Sequence, residues 1–168
     1  TFISDPCPPW QMLAITFTNK AANEIKTRLA TTLGDEETAS QIWAGTFHSI
    51  CVRILRRFGD RLGYTQDFTI YDTDDVKKLI GSTMKSLNIS DKVLPVRSVM
   101  NEISRAKDEL ITPDDYNLKV GNDYRLLQIS KIYTQYQSAL KDANAVDFDD
   151  IIVQTVRLLE ENSDVLDY

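Results

Sequence analysis

The sequence has few of the features that mark membrane, disulfide-rich or metal-binding proteins. Its apolar runs stay well below the roughly 20 residues that a membrane span needs, and no signal-peptide pattern is present. Its only cysteines, Cys7 and Cys51, stand far apart and outside any CxxC spacing, and His48 is the only histidine. We therefore expect no disulfide framework, no zinc site and no membrane anchor. A reducing, cytoplasmic setting is expected instead.

The charge balance is acidic. A formal net charge of -6 argues against a chain that coats nucleic acid by bulk electrostatics. A local basic face remains, because one predicted helix carries four arginines on one side: Arg53, Arg56, Arg57 and Arg61. That face could track a phosphate backbone, but the residues alone favour a solvated helix face with Asp60 as a local partner.

The start of the chain predicts an extended lead-in over residues 1–9, followed by a strand and a helix. Residues 10–18 are mostly apolar and predict a short, buried, central parallel strand. Thr18 or Asn19 suits the N-cap of the next helix, and Gly34 suits its end.

A second strand and helix follow. Residues 35–40 predict an acidic turn, and residues 41–49 predict a strand that runs out through Gly45 into a loop. A helix is then expected over residues 49–62. This strand–helix–strand–helix order favours a parallel sheet with crossover helices.

The rest of the chain is predicted to be mainly helical, after a short extended piece at "DFTIYDTDD". Helices are expected at residues 74–88, 95–110 and 122–143, together with a short helix that starts within 112–116 and a last helix that opens with "DFDD" at 147–150. Thr112 suits the cap of the short helix. The expected fold class is therefore α/β but predominantly helical. A partial parallel sheet carries an inserted helical subdomain.

The stretch "LAITFTNKAANE" places Phe17, Thr18 and Asn19 at the end of the first predicted strand. Open α/β sheets bind ligands at the carboxyl ends of their strands, and a helix start there offers free N–H groups to an anion. Phe17 could present a face on which a base stacks. Taken alone, however, the stretch favours a core phenylalanine and a helix cap.

The stretch "GTFHS" repeats this pattern at the second strand end. Thr46 and Ser49 carry hydroxyls that suit phosphate oxygens, and Phe47 and His48 lie between them. A lone histidine is usually structural. Two strand ends of the same polar and aromatic character nevertheless favour one shared strip along the edge of a sheet.

The acidic run at 147–150 has two interpretations. Asp147 and Asp150 fit the N-cap and N3 positions of the last helix, where carboxylates favour the helix dipole. A metal site is the minor alternative, because carboxylate spacing without a defined pocket is weak support.

Three stretches of the sequence resemble motifs of a known family. "LAITFTNKAANEIKTRL" resembles motif Ia of the UvrD/PcrA/Rep group of superfamily 1 DNA helicases. "GTFHSICVRILRRFGDRLGY" resembles motif Ib, and "VDFDDIIVQTVRLLEENSDVLDY" resembles motif Id with its helix. The resemblance covers nearly the whole chain. It implies a partial RecA-like (P-loop NTPase) domain 1A at 1–63, a helical 1B insertion at 64–143, and a return to 1A at 144–168.

The resemblance also implies a function and a set of contacts. The parent protein would be an ATP-dependent 3′-5′ DNA helicase, associated with DNA repair, that uses ATP and Mg²⁺. Its partners would be single-stranded DNA and the junction with duplex. The implied DNA-binding residues are Phe17, Thr18 and Asn19 of motif Ia, Thr46, Phe47, His48 and Ser49 of Ib, and Asp147 and Phe148 of Id.

One departure from the family pattern concerns ATP. The sequence contains no GxxxxGK[ST] loop, and its Asp-Glu pairs at 35–36 and 108–109 lie well before the place where the family has its DExx motif, shortly after the last helix. We therefore expect this chain to lie between those two motifs in its parent. We expect it to bind no cofactor and to hydrolyse no ATP by itself. Two rival interpretations are a subunit of a RecB/AddA-type helicase-nuclease and a non-enzymatic helical interaction module.

Overall fold

A computed structural model describes residues 7–167, which fall into two compact units. The first unit ends at Ile54 and the second begins at Leu55. Most of the described chain is helical, and its strands form small parallel sheets, as predicted. Residues 1–6 of the predicted lead-in and Tyr168, the end of the predicted 144–168 segment, lie outside the described residues.

The first unit contains two short parallel strands with helices around them. Its elements are a 3₁₀ helix at Pro9–Gln11, β1 at Leu13–Thr16, α1 at Asn19–Leu33, α2 at Glu36–Gln41, β2 at Trp43–Thr46 and the start of α3, Phe47–Phe58. β1 and β2 pair in parallel, from Leu13 opposite Trp43 to Thr16 opposite Thr46. The predicted parallel pairing with a helical crossover is confirmed.

The predicted ends of α1 are confirmed. The Thr18 hydroxyl accepts a hydrogen bond from the Ala21 N–H at 3.2 Å and caps the helix. Gly34 ends it in the left-handed conformation, with φ at +64°.

The acidic turn predicted at 35–40 is wrong, because these residues form α2. Asp35 caps this helix by accepting from the Glu37 N–H at 3.0 Å. Glu36 and Glu37 lie in its first turn, where carboxylates favour the helix dipole.

β1 is shorter and more exposed than predicted. Trp10 lies in the 3₁₀ helix rather than in the strand, because Pro9 occupies the first helical position. Leu13 is 57% exposed and Ile15 is 38% exposed, so the prediction of a buried strand is wrong. Within the described residues β1 pairs with β2 alone, and the face that carries Leu13 and Ile15 is left largely uncovered.

α3 begins earlier than predicted. It starts at Phe47, directly after β2, and the loop expected after Gly45 is absent from this part of the described chain. The Thr46 hydroxyl accepts from the Ser49 N–H at 3.2 Å and so caps the helix before the predicted start. α3 ends at Phe58, and a 3₁₀ helix at Gly59–Leu62 follows.

The second unit is built mainly of helices: α4 at Thr73–Ser86, α5 at Val96–Asp108, α6 at Pro113–Lys119, α7 at Tyr124–Asp142, α8 at Phe148–Glu161 and α9 at Ser163–Leu166. The predicted helices are confirmed to within a few residues at each end. A parallel pair was not predicted: β3 at Thr69–Ile70 lies beside β4 at Ala145–Val146. α8 begins just after β4.

The core of the second unit forms where α4, α5 and α7 pack together. α5 contributes Val99, Ile103 and Ala106 at helical spacing, each at most 3% exposed. The buried face of α7 includes Ile129, Ile132, Tyr133, Tyr136 and Leu140. This core supports the start of α8, where the motif Id residues lie.

Candidate nucleic-acid interface

The two strand ends of the first unit bring two aromatic rings together. Because Thr16 lies opposite Thr46 in the register, Phe17 and Phe47 leave the sheet side by side. Their ring centroids are 5.5 Å apart, and their planes are tilted by 38°. Phe17 is 88% exposed and Phe47 is 45% exposed, so the interpretation of Phe17 as a core residue is wrong.

A helix begins beside each of these rings. The Thr18 and Thr46 hydroxyls cap α1 and α3 by accepting from the N–H groups of Ala21 and Ser49, both at 3.2 Å. A hydroxyl that accepts in this way can still donate its own hydrogen. Neither α1 nor α3 has an acidic side chain in its first turn, whereas α8 has two. The positive ends of both dipoles are therefore not offset locally by carboxylates.

Gly45 is a buried residue of β2, and its lack of a side chain lets α3 start close to the strand. A Cβ atom at Gly45 would lie 2.5 Å from Ser49 Oγ and 3.3 Å from Ile50 Cδ1. Ser49 Oγ is itself engaged, because it donates to the Thr46 carbonyl at 2.9 Å. The close strand-to-helix turn, rather than a flexible loop, explains the glycine.

Seven of the predicted site residues lie at these two neighbouring strand ends. Phe17, Thr18, Asn19, Phe47, His48 and Ser49 are exposed, and Thr46 is half-buried. The strip predicted along one edge of the sheet therefore exists as a surface. Contact of these residues with DNA stays a prediction.

The two remaining predicted residues, Asp147 and Phe148, lie in the second unit at the start of α8. The Asp147 carboxylate caps α8 by accepting from the Asp150 N–H at 2.8 Å, which confirms the predicted cap. Asp147 is only 5% exposed, whereas Phe148 is 52% exposed. Phe148 also lines a cleft of about 230 Å³ between the starts of α4 and α8 and the side of α5.

A buried ionic cluster holds Asp147 in place. Lys107 Nζ lies 2.6 Å from Asp147 Oδ2 and 2.9 Å from Asp150 Oδ1. The Tyr136 hydroxyl donates to the same Asp147 oxygen at 2.6 Å. Sequence reasoning missed Lys107. The available signal was its spacing of one helical turn from Ile103, which puts it on the buried face of α5.

Burial raises the pKa of two members of this cluster, Asp150 and Tyr136. It raises the pKa of Asp150, with the positive charge of Lys107 opposing the rise. Burial, followed by the charge of Asp147, raises the pKa of Tyr136 and keeps its hydroxyl a donor. Among residues 7–167, no group of three or more His, Cys, Asp or Glu side chains is arranged to hold a metal ion.

The arginines of the basic face are engaged in specific contacts. The Arg53 guanidinium lies 4.0 Å from the centroid of the Trp43 ring, and that of Arg56 lies 4.1 Å from the Phe68 ring. Arg61 forms an ion pair with Asp164, with both nitrogen–oxygen distances at 2.6 Å. Asp164 is therefore the direct partner of Arg61, and the charge of Asp60 adds a smaller upward shift to the pKa of Arg61.

Comparison with known proteins identifies the class. The family model described as the UvrD/REP helicase N-terminal domain matches residues 3–168. The chain therefore belongs to the UvrD/REP helicase N-terminal domain family, and the resemblance drawn from its motifs is confirmed.

Individual relatives agree with this family. Proteins named ATP-dependent DNA helicase PcrA, from Staphylococcus epidermidis and Staphylococcus aureus, are each 45% identical to this chain over 160 residues. These alignments cover 95% of this chain but only 22% of each relative, so the chain spans about a fifth of their length. Within the described residues, no helix is both long and apolar enough to cross a membrane.

Proposed function

We propose that this chain supplies the single-stranded DNA-binding strip and the duplex-proximal helical subdomain of an ATP-dependent 3′-5′ DNA helicase. The observation that carries the proposal is the exposed pair Phe17 and Phe47 at neighbouring strand ends, each beside the start of a helix. The helicase name of the relatives supports the same activity for the parent protein.

The strip has the chemistry that a single strand needs. Aromatic faces stack on any base, so they bind a strand without reading its sequence. The hydroxyls of Thr18 and Thr46 and the N-terminal N–H groups of α1 suit phosphate oxygens, whereas the Ser49 hydroxyl would have to release the Thr46 carbonyl before it could donate to one. Lys20 adds an exposed positive charge in the first turn of α1.

The proposal also assigns the segments of the chain to two parts of the helicase. Residues 1–63 and 144–168 belong to a RecA-like domain 1A, and residues 64–143 form a 1B-like insertion near the duplex junction. The family membership and the parallel β1–β2 pair support the RecA-like part. Phe148, exposed at the start of α8, adds a further DNA contact.

ATP and Mg²⁺ act elsewhere in the parent helicase. The residues of this chain do not fit the nucleotide, because the sequence has no GxxxxGK[ST] loop to cradle its phosphates. We therefore expect no ATP hydrolysis by the isolated chain. Tight binding of magnesium–ATP to the chain, measured by calorimetry, would contradict this part of the proposal.

Binding of fluorescein-labelled oligo(dT) tests the strip. We expect the isolated chain to bind weakly and in a salt-sensitive manner. Fluorescence anisotropy at several salt concentrations measures this binding. Phe17→Ala and Phe47→Ala should each weaken it about 5- to 150-fold, since one stacked base contributes roughly 1–3 kcal/mol.

Tyr124→Ala is the matched control, because Tyr124 is an aromatic residue that is 74% exposed and lies outside the strip. It should leave the affinity unchanged. Equal losses for all three variants, or no salt-sensitive binding by the unaltered chain, would refute the strip and favour a non-enzymatic interaction module.

A further inference from the structure

We propose that Lys107 is a positioning residue for the DNA contact at Phe148, and that it acts by holding the Asp147 carboxylate together with Tyr136. The inference rests on the proposed function, since it assumes that Phe148 meets single-stranded DNA. It assigns a role to three buried residues of which only Asp147 stood in the predicted site.

The Asp147 carboxylate is held at both of its oxygens. Its Oδ1 accepts from the Asp150 N–H at 2.8 Å, and its Oδ2 accepts from Lys107 Nζ and the Tyr136 hydroxyl, both at 2.6 Å. Both oxygens therefore have fixed partners in different directions. A carboxylate bound in this way leaves the residue that follows it, Phe148, little freedom at its backbone.

The two side chains that bind Asp147 Oδ2 come from two core helices. Lys107 lies on α5 and Tyr136 lies on α7, the two helices that build the core of the second unit. A further donor from α7, Gln137 Nε2, binds Asp150 Oδ2 at 2.9 Å. The start of α8 is thus tied to two core helices by directed polar contacts.

The ionic cluster is buried, whereas the aromatic residue next to it is exposed. Lys107 and Asp147 are 2% and 5% exposed, whereas the adjacent Phe148 is 52% exposed. An apolar cluster would fill the same space, often with no loss of stability, but it would not fix a direction. A buried ionic cluster beside an exposed aromatic residue is therefore suited to orienting that residue.

The experiment uses ¹⁹F NMR on the chain labelled with 4-fluorophenylalanine, with the signals of Phe17, Phe47 and Phe148 assigned from single Phe→Leu variants. Lys107→Met removes the cation, and Tyr136→Phe removes a single hydroxyl in case the first variant fails to fold. Lys78→Met is the matched control, because Lys78 is an exposed lysine whose nearest carboxylate oxygen, on Asp75, is 4.0 Å away.

We expect Lys107→Met and Tyr136→Phe to move or broaden the Phe148 signal in the free chain and to leave those of Phe17 and Phe47 in place. With oligo(dT), Lys107→Met should weaken binding by the same factor as Phe148→Ala. The double variant should show no further loss, because both changes remove one contact. Lys78→Met should leave the Phe148 signal unmoved.

A Phe148 signal at its original position in both variants would overturn the inference. So would independent, multiplying losses of affinity from Lys107→Met and Phe148→Ala. If oligo(dT) moves the signals of Phe17 and Phe47 but not that of Phe148, DNA binding by the strip is supported and the inference about Lys107 is refuted. If oligo(dT) moves no signal of the unaltered chain, the proposed function fails first.

Discussion

The ring of Phe17 lies 5.5 Å from the ring of Phe47, although two helices and a strand separate them in the chain. The parallel register explains the pairing, because Thr16 and Thr46 lie opposite each other as the last residues of β1 and β2. Adjacent strands lie roughly 4.8 Å apart, so the residues that follow them meet. Two sequence motifs thereby form one surface.

The first prediction separates stacking from simple apolar contact at Phe17. Phe17→Leu should weaken oligo(dT) binding as much as Phe17→Ala, whereas Phe17→Tyr should retain most of the affinity, because only an aromatic face stacks on a base. Fluorescence anisotropy gives the affinities.

Thermal unfolding is the companion measurement. Phe17 is 88% exposed, so all three substitutions should leave the midpoint nearly unchanged. If the leucine variant binds as well as the tyrosine variant, then stacking is not the basis of the contact.

The second prediction concerns the turn from β2 into α3. Gly45→Ala would place a Cβ 2.5 Å from Ser49 Oγ, so Ser49 must leave its bond to the Thr46 carbonyl or the helix must shift. We expect the free energy of unfolding of the first unit to fall by about 1–3 kcal/mol, as for other overpacked sites. Chemical denaturation followed by circular dichroism measures this loss.

A second substitution checks the cause of that loss. In a Ser49→Ala background the nearest clashing atom is gone, so Gly45→Ala should cost less there than in the unaltered chain. Gly81→Ala offers the contrast, since a Cβ at this site in α4 meets nothing within 4 Å. It should stabilise the second unit by roughly 0.5–1 kcal/mol, the helix preference for Ala over Gly. An equal loss from Gly45→Ala in both backgrounds would count against the proposed clash.

The sequence was most informative where local chemistry decides the structure. The caps at Thr18, Gly34, Thr112 and Asp147 were all readable, because capping needs only a side chain and a nearby N–H, or a left-handed φ. The edge strip was also readable, because the ends of adjacent parallel strands meet.

Features that depend on distant partners were not readable. β3 falls within the extended piece predicted at "DFTIYDTDD", but its pairing with β4 was not predicted. β4 has only two residues, too few to show a period, and most of the second unit separates it from β3 in sequence. Lys107 lies on a different helix from the one that Asp147 caps, and no local sequence pattern near either residue predicts their ion pair. The exposure of β1 was missed because an apolar run gives no sign of what covers it.

The third prediction concerns the ion pair between Arg61 and Asp164. Hydrogen bonds from Arg61 hold the pKa of the Asp164 carboxyl below its usual range. Because the folded pKa is depressed, the pair contributes stability above the usual pKa of the carboxyl and loses it as the pH falls through the lowered value. The contribution is expected to be small, since both side chains are exposed.

Carboxyl ¹³C NMR measures this titration directly. Arg61→Gln should return the Asp164 midpoint toward the ordinary aspartate range. Arg56→Gln is the control and should not move it, because the Arg56 guanidinium lies over the Phe68 ring. An unmoved Asp164 midpoint in Arg61→Gln would show that the two side chains do not pair in solution.

The fourth prediction concerns how the stability of a Lys107 variant depends on pH. Lys107→Met leaves two carboxylates in the core without their cation, so the free energy of unfolding should fall by about 3–5 kcal/mol at neutral pH. Burial raises the pKa of Asp150, and Lys107 opposes that rise, so the pKa should climb further in the variant. The folded variant then takes up a proton at a pH where the unfolded chain does not, and its stability relative to the unaltered chain should rise as the pH falls from neutral toward about 5.

Urea denaturation at pH 7 and at about pH 5 measures the gap in free energy of unfolding between Lys107→Met and the unaltered chain. Lys78→Met is the control and should stay within about 0.5 kcal/mol of the unaltered chain. A gap that stays constant across this range would mean that the loss comes from packing around the methionine and not from unpaired carboxylates.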